Sequence, residues 1–167
     1  MEQKEKVIVI CGPTASGKTA LSIELAKKIN GEIISADSMQ IYKDMNIGTA
    51  KPTLEEMQGI KHYLLDFVSP NERYSVAQYK QNAKKAIKAI LQKGKIPIIV
   101  GGTGLYVDSL IYEIDYQEIK YNEQYRNFLE SRVKNEGLQK LYEEAKKIDK
   151  KATEKISIND KKRILRI

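Results

Sequence analysis

Residues 12–19 read Gly-Pro-Thr-Ala-Ser-Gly-Lys-Thr, and no other feature of this 167-residue chain restricts its fold so far. The string fits G-x-x-x-x-G-K-[ST], a phosphate-binding loop. Gly12 and Gly17 let the backbone curl until successive N–H groups point inward at phosphate oxygens. Lys18 adds a mobile positive charge, and the Thr19 hydroxyl is suited to holding Mg²⁺. All eight residues, with Pro13, Thr14, Ala15 and Ser16 spanning the curl, are expected to grip a phosphate or diphosphate. Glycine makes up about 7% of ordinary sequences, so a chance match in a chain this long is on the order of a 1% event.

The loop also sits in the right context. Val7–Cys11 (VIVIC) is a continuous apolar run of the kind that forms a buried parallel strand. Leu21, Leu25, Ala26 and Ile29 follow with a helical period, so a helix aims its positive N-terminal end at the anion. Further strands are predicted at Glu32–Ala36, His62–Phe67 and Ile96–Val100. Ser75–Gln92 reads as an amphipathic helix whose apolar face carries Val76, Tyr79, Ala83, Ala86, Ile87, Ile90 and Leu91. Strands alternating with helices predict an α/β fold, a P-loop-type parallel sheet flanked by helices.

After Tyr112 the strands stop. Tyr121–Lys147 reads as two charged helices broken near Gly137, and Asn159-Asp160 as the cap of a last helix from Lys161. That helix reaches Ile167 with no stop signal, as if the chain were the N-terminal portion of something longer. The expected division is a P-loop core at 1–112 and a helical region at 113–167.

Composition removes several function classes. No apolar run approaches the roughly 20 residues of a membrane span. The N-terminus MEQKEK lacks the apolar core of a secretory signal, so a cytoplasmic location is expected. One cysteine and one histidine exclude an internal disulfide and a Cys/His zinc cage. Cys11, at the end of its apolar run, is expected to be a small buried core residue. The net charge of +7 permits an anionic partner such as a nucleic acid.

Asp37-Ser38-Met39-Gln40-Ile41-Tyr42 follows the second strand. Loops at the carboxyl ends of parallel strands face the ligand crevice, so Asp37 should project toward whatever the P-loop holds. A carboxylate there can accept a proton or help hold a metal; the plainer alternative is that it caps a turn. Gln40 carries both donor and acceptor, as reading a base edge requires.

GPTASGKT, then ADSMQIYK, then IGTAKP at Ile47–Pro52 resemble the tRNA dimethylallyltransferase (isopentenyltransferase) family. His62–Asp66 (HYLLD), Val100–Tyr106 (VGGTGLY) and the segment Asp149, Ala152, Asn159-Asp160, Arg163 and Arg166 continue the likeness in order along nearly the whole chain. The resemblance implies transfer of a dimethylallyl group from its diphosphate to N6 of the adenosine 3′-adjacent to the anticodon of tRNA. It implies Lys18, Asp37 and Thr103 at the reacting centre, with Asp37 as proton acceptor and Mg²⁺ on Thr19. It implies contact with the tRNA anticodon arm through Asp37, Ser38, Met39, Gln40, Thr103, Arg126, Lys162, Arg163, Ile164, Leu165 and Arg166. A full-length relative would be a monomer with no membrane attachment. One departure is Lys162, where relatives commonly carry glutamine.

Rival readings remain at this level. A small-molecule or nucleotide kinase shares the loop and sheet, but kinases usually gather arginines around the transferring phosphoryl group. Residues 1–112 hold one arginine, Arg73. An NTPase switch would favour a strand ending in Asp, whereas Ile96–Val100 ends in Gly101-Gly102. A non-catalytic RNA-binding module is the third reading. His62 is expected to be a polar strand-end residue. Lys51 is weighed as a phosphate contact, and Tyr106 and Tyr112 as base-stacking side chains against ordinary packing.

Overall fold

The computed structural model describes residues 6–112, 114, 116 and 122–167. The chain divides into two compact units, Met1–Glu118 and Ile119–Ile167, somewhat later than the expected 112/113.

The first unit begins with β1 (Ile8–Cys11), α1 (Lys18–Ile29) and β2 (Gly31–Ser35). There follow α2 (Leu54–Met57), β3 (His62–Tyr63), α3 (Val76–Gln92), β4 (Ile96–Gly101) and α4 (Gly104–Ile111). The four strands form one parallel sheet in the order β1-β4-β2-β3. Alternate residues of the central strands serve opposite faces. Ile33 and Ile98 pack with Ile23 and Ala26 of α1. Ile34 and Ile99 pack with Tyr79, Ala83, Ile87 and Ile90 of α3 and with Val107 of α4. Helices on both faces are the reason the strands read as unbroken apolar runs.

Local chemistry sets the helix ends. Ser75 Oγ accepts from the Gln78 amide at 3.2 Å, and Gln78 Oε1 accepts from the Ser75 amide at 2.8 Å. This reciprocal box starts α3 at the expected residue. Gly94, with φ +68°, turns the chain out of α3 toward β4.

Two expectations are corrected. β3 covers only His62–Tyr63 rather than His62–Phe67. Leu64 and Asp66 adopt φ of 57° and 58°, which no strand accommodates. Pairing resumes only as a single parallel bridge between Tyr42 and Val68. Cys11 is exposed rather than buried, because β1 lies at the sheet edge and Cys11 is its last residue. α2 and α4 lie outside the predicted elements, although the Thr53–Glu56 capping box marks the start of α2 in the sequence. α4 (GLYVDSLI) is apolar on nearly every side and lacks a helical period.

The second unit contains α5 (Glu123–Glu136), α6 (Leu138–Ile148), α7 (Lys150–Thr153) and α8 (Lys161–Ile164). Gly137, at φ +87°, separates α5 from α6 as the sequence predicts. Leu141, Ala145 and Ile164 form its buried centre, flanked by Leu129, Val133 and Tyr142. Arg132 joins the helices by bonding both Glu136 and Glu144 at 2.7–2.9 Å. Asp149 and Asp160 cap α7 and α8. α8 closes at Ile164 instead of running to Ile167, because the Arg166 amide turns back to the Arg163 carbonyl. Among the described residues no helix is long and apolar enough to cross a membrane.

At the start of β2, Glu32 is 4% exposed and accepts bonds from Lys95, Lys93 and the Tyr63 hydroxyl at 2.8–2.9 Å. Burial pushes its carboxyl up, but these donors outweigh burial and hold it at about 2, against 4.5 ordinarily. A depressed carboxylate contributes stability above its unfolded value and loses it as pH falls through the folded one. Stability should therefore fall between about pH 4.5 and pH 2. Glu32→Gln should cost about 1–2 kcal/mol at neutral pH, because Lys93 and Lys95 remain partly solvated, and flatten that acid limb in urea titrations at successive pH values.

Gly101 gives a second test. A Cβ there would stand 2.2 Å from the Ala36 carbonyl oxygen, whereas at Gly104 nothing lies within 4 Å. Gly101→Ala should lower the urea midpoint by about 3 kcal/mol equivalent, and Gly104→Ala should leave it within about 1 kcal/mol.

Candidate functional site at the carboxyl ends of the strands

The site is assembled by the sheet register. Cys11 pairs with Gly101, and Ser35 with Val100, so β1, β4 and β2 end at one level. The Ala36 amide bonds the Val100 carbonyl at 2.7 Å, and the Thr103 amide bonds the Ala36 carbonyl at 3.1 Å. A Cβ on Gly102 would lie 3.4 Å from the Gly12 carbonyl. The P-loop, the Asp37 loop and the Thr103 turn are thereby neighbours, as their positions after consecutive strands predict.

Within residues 12–19 the backbone passes through φ of 63° at Ala15 and 80° at Gly17. Such left-handed steps turn successive amides to the inside of a curve. Ser16 Oγ donates to the Pro13 carbonyl at 2.9 Å, and Lys18 Nζ reaches the same carbonyl. Gly17 occupies the N-cap of α1 but offers no side chain to cap it, and no acidic residue stands in the first turn. The leading amides of a twelve-residue helix are thus left for an anion.

Asp37 Oδ1 accepts from the amides of Met39 at 2.8 Å and Gln40 at 3.3 Å. The turn-capping role weighed from sequence is therefore real, and it uses one carboxylate oxygen. Thr103 caps no helix amide with its side chain. Its hydroxyl accepts from the Ser38 amide at 2.9 Å and donates to Ser38 Oγ at 3.2 Å. Thr103 and Ser38 fasten two loops together beside Asp37.

Gln40 is engaged within its own loop. Both protons of its amide go to main chain, the carbonyls of Thr49 and Ala50, each at 3.1 Å. Its Oε1 lies 3.5 Å from Ser35 Oγ. A base-reading role would have to use Oε1. Met39, Met45, Ile47, Gly48 and Thr49 line a mainly apolar depression of about 410 Å³ on this loop. A second, small cavity behind the P-loop is lined by Thr19, Ser22, Ser35, Gln40 and His62.

Lys51 was weighed as a phosphate contact and is otherwise occupied. Its side chain is 6% exposed, and Nζ donates to the Tyr42 carbonyl at 2.7 Å and to Asp66. His62 Nδ1 lies 2.9 Å from the Ile60 carbonyl, which can only accept, so Nδ1 carries the proton. Burial lowers its pKa against the opposing effect of that bond. Tyr106 is 5% exposed and stacks on Tyr79 with ring centroids 3.9 Å apart. Burial, then Tyr74, Tyr42 and Asp37, push its hydroxyl up to about 12. It is a packing residue, whereas Tyr112 is exposed.

The RNA-contact residues expected in the second unit fall into two groups. Lys162, Arg163 and Arg166 are exposed. Arg163 Nε lies 3.4 Å from Asp160, and Arg126 Nε bonds Glu130 at 3.1 Å. Ile164 is 3% exposed and Leu165 packs against the same cluster, so these two build the unit's core. Arg163 and Arg166 do not share a helix face, because α8 ends between them.

Comparison with known proteins identifies the family. A family model described as IPP transferase matches residues 40–167. The tRNA dimethylallyltransferase of Acetivibrio thermocellus is 56% identical over 97% of this chain, which covers 52% of that protein. That of Thermoanaerobacter sp. is 51% identical over 96% of this chain and 51% of its own length. The chain thus spans about half the length of the curated relatives it matches. The crystal structure of tRNA isopentenylpyrophosphate transferase from Bacillus halodurans superposes with a TM-score of 0.67 at 47% identity, over 98% of this chain and 54% of that one. A eukaryotic dimethylallyltransferase acting on tRNA gives a TM-score of 0.81 at 39% identity, over 98% and 40%. A phosphate loop, an acidic loop and a glycine turn in register, matched along nearly the whole sequence by these relatives, place the chain in the IPP transferase family.

Proposed function

We propose that this chain carries the catalytic loops of an enzyme that transfers a dimethylallyl group from dimethylallyl diphosphate to N6 of the adenosine 3′-adjacent to the anticodon in tRNA. The observation that carries the reading is the meeting of an uncapped P-loop helix with a carboxylate held beside Thr103 at the same edge of the sheet.

The N6 lone pair attacks C1 of the dimethylallyl group. The C1–O bond breaks, and diphosphate leaves with the electron pair. P-loop amides and Lys18 stabilise the departing anion, and the free carboxylate oxygen of Asp37 accepts the amine proton. No nucleotide is hydrolysed, because the loop holds a leaving group. The acceptor base must leave its stack to reach this edge.

Mg²⁺ suits the donor set. Among the described residues there is no cluster of three His, Cys, Asp or Glu side chains. Mg²⁺ keeps several waters and takes few protein oxygens beside phosphate. The Thr19 hydroxyl would hold it, and the ion would neutralise charge developing on the diphosphate. Lys162, Arg163, Arg166 and Arg126 are the side chains proposed to meet the anticodon arm. The proposed location is the cytoplasm, with a monomer for the full-length protein.

The test is transfer of labelled dimethylallyl to unmodified tRNA with Mg²⁺, with ATP consumption followed in parallel. Label on tRNA with no ATP consumed supports the reading. ATP turnover without label would replace it with a kinase, and RNA binding with neither activity would leave a binding module.

Asp37→Asn keeps Oδ1 for the Met39 and Gln40 amides but removes the basic oxygen. It should reduce transfer by about 10²–10⁴-fold with diphosphate affinity unchanged. Undiminished transfer would remove Asp37 from the mechanism. Lys18→Ala should weaken diphosphate binding by at least about tenfold by calorimetry.

A further inference from the structure

Residues 43–50 form a loop whose neck is closed by two side chains. Gln40 ties it from one side through the carbonyls of Thr49 and Ala50. Lys51 ties it from the other, joining the Tyr42 carbonyl to the Asp66 carboxylate. Backbone bonds continue the seam, from the Asp66 amide to the Gln40 carbonyl, from Phe67 to Ile41 and from Lys43 to Val68. The loop so held supplies Asp44, Met45, Ile47, Gly48 and Thr49 to the apolar depression, which Met39 completes two residues from Asp37.

A lysine that merely solvates a surface keeps its ammonium in water. Lys51 is 6% exposed, while its partner Asp66 is 51% exposed. Asp66 holds its carboxylate there from a left-handed backbone, φ 58°, two residues after Leu64 at 57°. Burying a cation against a main-chain carbonyl in a strained seam has a cost that the loop's position must repay.

We propose that Lys51 is a positioning residue for the acceptor nucleobase: by fixing the neck of the 43–50 loop it sets the shape of the open depression that Met39 joins to the Asp37 loop, against whose two methionine side chains the base would pack. The inference rests on the transferase reading above for the identity of the base, but the strut itself does not.

Three measurements on Lys51→Met, Lys51→Arg and Asp66→Asn decide it. Asp66→Asn safeguards the test, since Asn tolerates the left-handed conformation and the site is exposed. By hydrogen exchange, Lys51→Met should speed exchange over residues 40–51 and 64–68 at least about tenfold and leave α3 and β4 unchanged. Affinity for an adenosine-containing anticodon stem-loop, and KM for it in the transfer assay, should worsen by about tenfold or more. Affinity for dimethylallyl diphosphate should stay within about twofold. Asp66→Asn should move in the same direction by less, and Lys51→Arg should restore most of the loss. Unchanged exchange overturns the strut. Faster exchange with unaltered RNA affinity and KM reduces Lys51 to a stabilising role and overturns the positioning claim. Lost diphosphate affinity would make Lys51 a phosphate ligand instead. If the unsubstituted chain turns over ATP and transfers nothing, the transferase reading fails, while exchange and stem-loop binding still decide Lys51.

Discussion

The approach of β4 to the backbone at Ala36 is the contact on which the site depends. A Cβ at position 101 would lie 2.2 Å from the Ala36 carbonyl oxygen and 2.3 Å from its carbon, far inside van der Waals contact. With hydrogen there instead, the Thr103 amide reaches the Ala36 carbonyl, and the Thr103 hydroxyl then reaches Ser38. A single missing side chain lets two crossover loops be stitched together by main-chain bonds. Gly102 extends the same closeness to Gly12 on the P-loop side. The order β1-β4-β2 makes this possible, since it places the glycine turn between the phosphate loop and the acidic loop.

That order also separates the two kinds of work. On the β1 side the proposed anion site is mostly backbone, with Lys18 beside it: left-handed steps at Ala15 and Gly17 and an α1 N-terminus without a cap. Peptide dipoles serve a polyanion well, because they add no counter-charge that must be displaced when it departs. On the β2 side the proposed proton acceptor is a side chain, and one oxygen of Asp37 is engaged in holding its own loop. Two amide donors to Oδ1 fix the carboxylate plane and leave Oδ2 for a proton. A base held in one orientation would need no reorganisation in the proposed proton transfer.

The parts of this plan visible in the sequence are those with a local signal. The P-loop, the α3 capping box and the break at Gly137 depend on residues within one turn of each other. Asp37 lies in the loop after β2, where the rule that loops after parallel strands line the crevice puts it. What stayed hidden depends on tertiary contact. Cys11 looks like core because VIVIC is apolar, yet nothing in the string says that β1 lies at the sheet edge. HYLLDF looks like a strand because Leu64 and Asp66 have no residue-level mark of a left-handed backbone. Gln40 and Lys51 look like free polar groups until the 43–50 loop folds back onto them. Ile164 and Leu165, inside a basic run, look like contact residues until Leu141 and Ala145 are seen beside Ile164.

The distribution of backbone strain points the same way as the hydrogen bonds. Seven non-glycine residues among those described have positive φ. Asn30 and Gln58 end helices, where that conformation satisfies a helix carbonyl. The other five are Ala15 in the P-loop and Asp44, Ala50, Leu64 and Asp66 around the loop that Gln40 and Lys51 brace. For residues other than glycine, asparagine and aspartate each such step costs about 1–2 kcal/mol, so the cost falls on Ala15, Ala50 and Leu64. Connections made only to join strands would relax out of them. Their persistence requires side-chain ties strong enough to hold the chain in place, and Gln40, Lys51 and Ser16 supply those ties at the segments concerned. The strain and its restraints therefore lie on the two surfaces that an anion and a flat acceptor would have to meet, and the sheet beneath them supplies the stability that such loops use.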